Sequence, residues 1–311
     1  QVRKQIKEEK DMSRKPYQPL PVRPDADSSF IRKKLMNIPY AQESGAQKLD
    51  LYYPNEGDGP FPTIVYFHGG GFFMRDKTDD QCQAFLNLTK AGYVVASCNY
   101  RLTGEAYFPA MVYDTKAATR FLRANAATYN LDADKFVAAG QSAGGYLSVM
   151  LAATGGRGIL EDLSQGNPDI SSKVQACIDW FGVVEFELQE EQLRRNGNSS
   201  FKFSNVDSSV TDMFFGAKYR TITKEMKQEA NILGYITESM PPTLIQHGLI
   251  DHLVPYQQSK MLEEKIWDIC GRDKVRLDIL ADADHDDPLF NTPENVEELR
   301  KFLDKALKIN R

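Results

Sequence analysis

The chain alternates short runs of β-branched and aromatic residues with longer stretches whose apolar positions recur at helical spacing. "KLDLYY" (48–53), "TIVYFH" (63–68), "YVVASCNY" (93–100), "KFVAAG" (135–140), "QACIDWF" (175–181), "TLIQHG" (243–248) and "VRLDIL" (275–280) read as strands. Helices are predicted between them, over about 78–91, 110–127, 143–153, 255–270 and 293–308. This alternation predicts an α/β architecture, a mostly parallel, doubly wound sheet of about eight strands with both faces covered. In the second of these helices Ala110, Ala117, Phe121 and Leu122 share one face, and Asp114 falls on it. A buried carboxylate needs a partner, and Arg101 in "NYRL" is the expected one.

Two segments break the alternation. Residues 1–29 mix Lys, Arg and Glu with Pro16, Pro19, Pro21 and Pro24, which reads as a helical or frayed start followed by an extended arm outside the core. The stretch 183–236 is polar, contains "RRNGNSS", and carries Phe186, Phe201, Phe203, Phe214, Phe215 and Tyr219 at no single period. Loops this long inside a compact domain are usually functional or flexible, so it is read as a cap inserted into one domain spanning 30–311.

Composition narrows the function classes. With 311 residues, 41% hydrophobic and 26% charged, the chain suits a globular domain with a substantial core. No apolar run approaches the roughly 18 residues of a membrane span. A net charge of -5 gives no overall attraction to nucleic acid or an anionic membrane. Cys82, Cys98, Cys177 and Cys270 show no C-x-x-C spacing and read as buried free thiols, which leans towards a cytoplasmic setting. The first residue is Gln1, so a processed N-terminus and a secreted protein stay open.

The densest chemical signal is "VAAGQSAGGY" at 137–146. Ser142 sits in G-x-S-x-G, with a predicted strand running in and a predicted helix running out, as a strained nucleophile turn requires. Gly140 and Gly144 remove side chains that would collide with the strand or with an approaching substrate. A phosphate cradle fits less well: Tyr146-Leu147 stands where a P-loop needs Lys-Ser/Thr, and G-x-G-x-x-G is absent. An ordinary tight turn with an inert serine is the remaining alternative.

A serine nucleophile needs a base and an acid that orients it. The histidines are His68, His247, His252 and His285. In strand–elbow–helix hydrolases the order along the chain is serine, acid, histidine. That order excludes His68, and His247 lies inside a predicted strand as a structural residue. His285, in "LADADHDDPLF", is the expected base, and His252 a residue of the pocket rim. Asp251, in "LIDHLVP", is the expected acid, with Asp179 in "CIDWFG" as its rival. Asp282, Asp284, Asp286 and Asp287 crowd His285 in sequence, and carboxylates beside an imidazole favour its charged form. A somewhat alkaline requirement for activity is therefore expected. "HGGGFF" at 68–73 supplies flexible backbone for an oxyanion hole, with the N–H groups of Gly70, Gly71 and Ala143 as donors.

These motifs, together with "NYRLTGEAYFPA", "DWFG", "PPTLIQHGLIDHLVPYQQS" and "HDDPLFNTPENVEELRKFLDKAL", resemble the α/β-hydrolase superfamily. More narrowly they are similar to the bifunctional feruloyl and acetyl-xylan esterase-like branch, related to the hormone-sensitive-lipase-type esterases. The resemblance spans about residues 45–308. It implies an α/β-hydrolase fold and a cofactor-free, metal-free serine esterase whose triad is Ser142, Asp251 and His285. The implied partner is an acylated oligosaccharide or other small ester, with acetyl expected ahead of feruloyl. An aryl-formamide hydrolase, a short-chain lipid esterase and an inactive ligand-binding fold are the alternatives. Gln141 sets the chain apart from the lipase-like relatives, which usually carry Asp there; the departures from the esterase-like branch are Asp284 and Asp286, where that branch usually has small residues around the final histidine, and "QEANILGYI" in place of a Ser-Pro pair. Phe73, Phe181 or Phe186 are guessed to fill the acyl pocket, Trp180 to stack on a sugar, and Tyr146 to lie in the core or at the pocket edge.

Overall fold

The computed structural model describes residues 23–197 and 209–310. Eight strands form one sheet: β1 Lys34–Pro39, β2 Lys48–Tyr52, β3 Phe61–Phe67, β4 Val94–Cys98, β5 Leu131–Gln141, β6 Ala176–Trp180, β7 Thr243–Gly248 and β8 Val275–Leu280, in the order β1-β2-β4-β3-β5-β6-β7-β8. From β4 to β8 every neighbouring pair is parallel, whereas β2 is antiparallel to both β1 and β4. All seven predicted strands are present. The eighth, β1, escapes the sequence pattern because its "KLMNIP" lies almost wholly exposed at the sheet edge, with no buried apolar run to announce it.

Alternate residues of the central strands feed two cores. Val65 and Phe67 of β3 join one, and Ile64 and Tyr66 the other, as the two-residue period of a strand requires. Both faces are therefore dry, which explains why these strands read as continuous apolar runs.

The helices are α1 Gln83–Asn87, α2 Ala110–Ala124, α3 Ala126–Tyr129, α4 Ala143–Thr154, α5 Phe186–Arg195, α6 Val210–Phe215, α7 Lys224–Ala230, α8 Gln257–Cys270 and α9 Pro293–Ala306. The first core takes apolar residues of α2, α4 and α8, and the second those of α1 and α9. The single helix expected over 78–91 is instead a short α-helix between two 3-10 turns, and it closes on Gly92 at φ 80°. Asp114 is wholly buried, with Arg101 Nη2 at 2.7 Å and a second donor, Gln47 Nε2, at 2.8 Å.

Within 183–236, α5, α6 and α7 send Phe186, Phe214, Phe215 and Ala230 into the first core. Phe201 and Phe203 lie outside the described residues, as do residues 1–22 of the arm. The described end of the arm is pinned rather than loose. Ala26 N–H donates to Thr78 O at 2.8 Å, and Pro24 O accepts from Asp80 N–H at 2.9 Å.

Candidate active site

Four loops meet at the carboxyl ends of β3, β5, β7 and β8, where open α/β sheets place their sites. Ser142 follows β5 directly and adopts φ 54°, ψ -118°, a conformation L-residues avoid. Close packing enforces this turn. A Cβ on Gly144 would stand 1.9 Å from Phe67 O, and one on Gly140 would stand 2.4 Å from Gly144 O. The glycines thus clear space for the neighbouring strand and for the turn itself. Gly145 does the same for Asp179, whose Oδ1 would lie 2.3 Å from an added Cβ.

His285, in the loop after β8, brings Nε2 to 3.0 Å from Ser142 Oγ and Nδ1 to 2.7 Å from Asp251 Oδ2. The aspartate accepts the Nδ1–H, which leaves Nε2 to accept the serine proton. Asp251 follows β7 and is 1% exposed. Its Oδ1 accepts the N–H groups of Leu253 and Val254, both at 2.8 Å.

A second imidazole also serves Asp251. His247 Nε2 lies 2.8 Å from Val254 O and 3.2 Å from Asp251 Oδ2, while Nδ1 lies 2.6 Å from Ser259 Oγ. A carbonyl oxygen only accepts, so Nε2 carries the proton and Ser259 donates to Nδ1. The strand histidine of the sequence reading is thus also a partner of the acid. Burial alone would raise the Asp251 carboxyl, but His285 and His247 outweigh it and hold the group below the ordinary carboxylate range.

Asp179, the rival acid, lies at the end of β6. It accepts Gly182 N–H at 3.0 Å through Oδ1, its buried Oδ2 has no partner among the described residues, and it makes no hydrogen bond to His285. Burial pushes its carboxyl up to about 7, against the lowering effect of nearby His247.

The glycine loop after β3 places Gly70 and Gly71 at φ 103° and 59°. A Cβ on Gly70 would stand 2.3 Å from Met74 O. Among the described residues, the N–H groups of Gly70, Gly71 and Ala143 donate to no protein acceptor. His68 closes this loop from below, stacked on Tyr100 at 4.6 Å, and burial pushes its imidazole down to about 4.

None of the acidic neighbours of His285 is hydrogen-bonded to its ring among the described residues. Asp284 accepts from His252 Nδ1 at 2.6 Å and from the His285 backbone N–H at 2.6 Å. Asp286 accepts from Gln141 Nε2 at 3.0 Å, Asp287 caps the turn at Leu289 N, and Asp282 is exposed. Among the described residues, the carboxylate hydrogen-bonded to the His285 ring is Asp251.

The pocket guesses need correction at two positions. Trp180 is 1% exposed, with its indole N–H on Gln246 Oε1 at 2.7 Å and its ring packed by Phe85 and Phe290, so it offers no face to a sugar. Phe181, at φ 43° and also buried, stands edge-on behind the His285 ring at 4.6 Å rather than in an acyl pocket. Tyr146, expected in the core or at the pocket edge, takes the core: it is wholly buried and donates to Ala230 O at 2.9 Å. Its ring meets Phe72, Phe186 and Phe214 at 5.4 to 5.6 Å, forming an aromatic cluster between the glycine loop and the first turn of α4. Nothing in the sequence pattern singles out Phe72. Phe73 is half-buried, its ring folded over Gly71, and His252 lies at the exposed rim.

The model of the BD-FAE family matches residues 49–266. A solved truncated form of a carbohydrate esterase from gut microbiota is 25% identical, with a TM-score of 0.76 over 92% of this chain and 100% of that one. The bifunctional GH43-CE protein of Bacteroides eggerthii is 26% identical, with a TM-score of 0.74 over 88% of this chain and 35% of its own. The probable carboxylic ester hydrolase LipM of Mycobacterium tuberculosis is 24% identical over 226 residues, 72% of this chain and 49% of LipM. The chain spans about half the length of the curated relatives it matches. Its sheet and helices form the α/β-hydrolase fold of these structural neighbours. Among the described residues, no helix is long and apolar enough to cross a membrane.

Proposed function

The chain belongs to the BD-FAE family of α/β-hydrolase esterases, and we propose that it hydrolyses carboxylic esters of acylated carbohydrate through Ser142, His285 and Asp251. The observation that carries this reading is the continuous chain from Ser142 Oγ to His285 (3.0 Å) to Asp251 (2.7 Å), beside three N–H groups with no acceptor among the described residues.

The mechanism follows from those atoms. Ser142 Oγ attacks the ester carbonyl carbon as His285 Nε2 takes its proton. Asp251, held ionised by its donors, stabilises the imidazolium that forms. The carbonyl oxygen becomes negative, and the N–H groups of Gly70, Gly71 and Ala143 are the donors assigned to it, each such donor being worth ~3 to 4 kcal/mol in comparable sites. The tetrahedral adduct collapses, and the leaving alcohol takes the proton from Nε2. Water, deprotonated by His285, then attacks the acyl-serine; Ser142 leaves with that proton, and the acid is released.

Acetyl is the acyl group favoured in this reading. The close-packed cluster of Phe72, Tyr146, Phe186 and Phe214 joins the residue after Gly71 to the first turn of α4, and such a wall beside the serine turn supports a small acyl group over a feruloyl ring. For the alcohol side, the exposed His252–Asp284 pair, with side chains 55% and 41% exposed, offers a donor and an acceptor to a hydroxyl-rich leaving group. Two structural relatives, a carbohydrate esterase and a GH43-CE protein, support the same reading.

Parallel assays with acetylated xylo- or manno-oligosaccharides, methyl ferulate and formylkynurenine test the reading. Acetate release from the oligosaccharides, abolished by Ser142→Ala, is the expected result. Turnover confined to formylkynurenine would replace the substrate class with an aryl-formamide.

A further inference from the structure

Asp286 is the residue after the proposed base, and it holds a left-handed backbone at φ 59°. Its carboxylate gathers three donors from three separate parts of the chain. Oδ1 accepts from Gln141 Nε2 at 3.0 Å. Oδ2 accepts from Gln81 Nε2 at 3.1 Å and from Arg23 Nη1. Arg23 also pairs with Asp80, beside Gln81.

Each donor leads to a different piece of the site. Gln141, 1% exposed, immediately precedes Ser142 and belongs to the serine turn. Gln81 is 6% exposed, and its Oε1 accepts the N–H of Gly69 at 3.0 Å, at the head of the glycine loop. Arg23 comes from the segment before β1 and brings the positive charge that balances a carboxylate set beside the base.

We propose that Asp286 is a positioning residue that fixes the His285 loop, the Ser142 turn and the glycine loop relative to one another, with Arg23 as its counter-ion. The proposal rests on reading the site as an esterase. The chemistry of the Gln81 amide makes it specific. A carboxylate at 286 accepts only, so the Gln81 NH2 must face it and the Gln81 oxygen must face Gly69 N–H. An amide at 286 has one acceptor atom to share among three donors, Gln141, Gln81 and Arg23. If Gln81 rotates to accept, its NH2 points at Gly69 N–H, donor against donor, and the glycine loop loses its anchor. Two features noted from sequence are thereby linked: a glutamine before the serine complements an aspartate after the histidine, whereas an aspartate before the serine would face Asp286 with like charge.

The test is steady-state kinetics on p-nitrophenyl acetate, with a melting curve for each protein: wild type, Ser142→Ala, Asp286→Asn, Gln81→Glu, Arg23→Ala and the double variant Gln81→Glu/Asp286→Asn. Misplacing reacting groups by a fraction of an ångström to an ångström costs about 10- to 100-fold in rate, so each of Asp286→Asn and Gln81→Glu should lose that much in kcat with KM within about 3-fold. The double variant reverses the polarity of the contact: the amide NH2 introduced at position 286 donates to the carboxylate introduced at position 81, which still accepts Gly69 N–H and becomes the counter-ion of Arg23 in place of Asp286. It should recover to within about 5-fold of wild type, a rescue that loss of stability alone does not produce. Should Asp286→Asn fail to fold, Gln81→Glu against the double variant makes the same comparison, and Arg23→Ala should lose about 3- to 10-fold in kcat. An active wild type whose folded variants keep its kcat, or a double variant no better than Gln81→Glu, overturns the proposal alone. A wild type that hydrolyses no ester overturns both the proposal and the functional reading beneath it.

Discussion

Asp251 and Asp179 stand at the ends of adjacent parallel strands, both buried, both near His247, and either fits the acid's place in chain order. What separates them is the supply of donors. Asp251 receives two backbone N–H groups on one oxygen and two imidazoles on the other. Asp179 receives one N–H and leaves a buried oxygen without a partner among the described residues. The first is therefore held as a carboxylate below the usual range, and the second is driven towards the neutral acid at about 7. Burial alone does not make a catalytic acid; an ionised group in a dry site needs its charge shared among donors aimed at it.

This contrast is open to direct attack. Asp251→Asn removes the carboxylate and the preferred tautomer of His285 together, and should lower kcat by about 10³- to 10⁴-fold in an ester assay. Asp179→Asn should leave kcat within about 3-fold of wild type. If their effects are reversed, the two roles have been assigned the wrong way round.

The second expected effect is on stability. The unfolded Asp179 releases its proton near 3.8 and the folded one near 7. Between those values the native state binds the proton that the unfolded state has lost, so stability falls as pH rises through that window and levels off above it. The full span corresponds to about 4 kcal/mol. Asp179→Asn cannot ionise, and denaturant midpoints measured from pH 4 to 8 should fall less for it than for wild type. Parallel curves would show that Asp179 keeps an ordinary carboxyl.

His247 sharpens the comparison from the other side. His247→Ala takes one donor from Asp251 Oδ2 and should cost about 10-fold in kcat, in line with a hydrogen bond to a charged group. A larger loss than that of Asp251→Asn would contradict a supporting role.

The smallest effect concerns acyl size. Phe214 packs on Phe72 at 4.4 Å, Phe186 at 5.1 Å and Tyr146 at 5.4 Å. Phe214→Ala should raise the butyrate-to-acetate ratio of kcat/KM by about 5-fold, one added methylene being worth roughly 1 to 3 kcal/mol in an apolar pocket. An unchanged ratio would place the acyl pocket elsewhere.

Much of this site was legible because its residues serve local rules. The serine turn announces itself through glycines that a neighbouring backbone forces, and chain order with four histidines leaves few candidate bases. The apolar runs marked the buried strands for the same reason they concealed Trp180: such a run shows burial without showing whether a ring faces a pocket or a core. β1 left no trace because an exposed edge strand needs no apolar pattern. The Arg23–Gln81–Gln141–Asp286 cluster was illegible in a different sense. Its members are ordinary polar residues far apart in sequence, and folding alone brings them together. The crowd of aspartates around His285 shows the same limit, since adjacency in sequence does not say which donor a carboxylate takes.

The most direct test of the central claim is the rate at which diethyl p-nitrophenyl phosphate labels the protein, followed by intact mass and peptide mapping. The arrangement described here predicts a single adduct on Ser142, formed by Asp179→Asn within about 2-fold of the wild-type rate and by Asp251→Asn more than about 100-fold more slowly. No adduct on Ser142, or slow labelling of Asp179→Asn with fast labelling of Asp251→Asn, would contradict it.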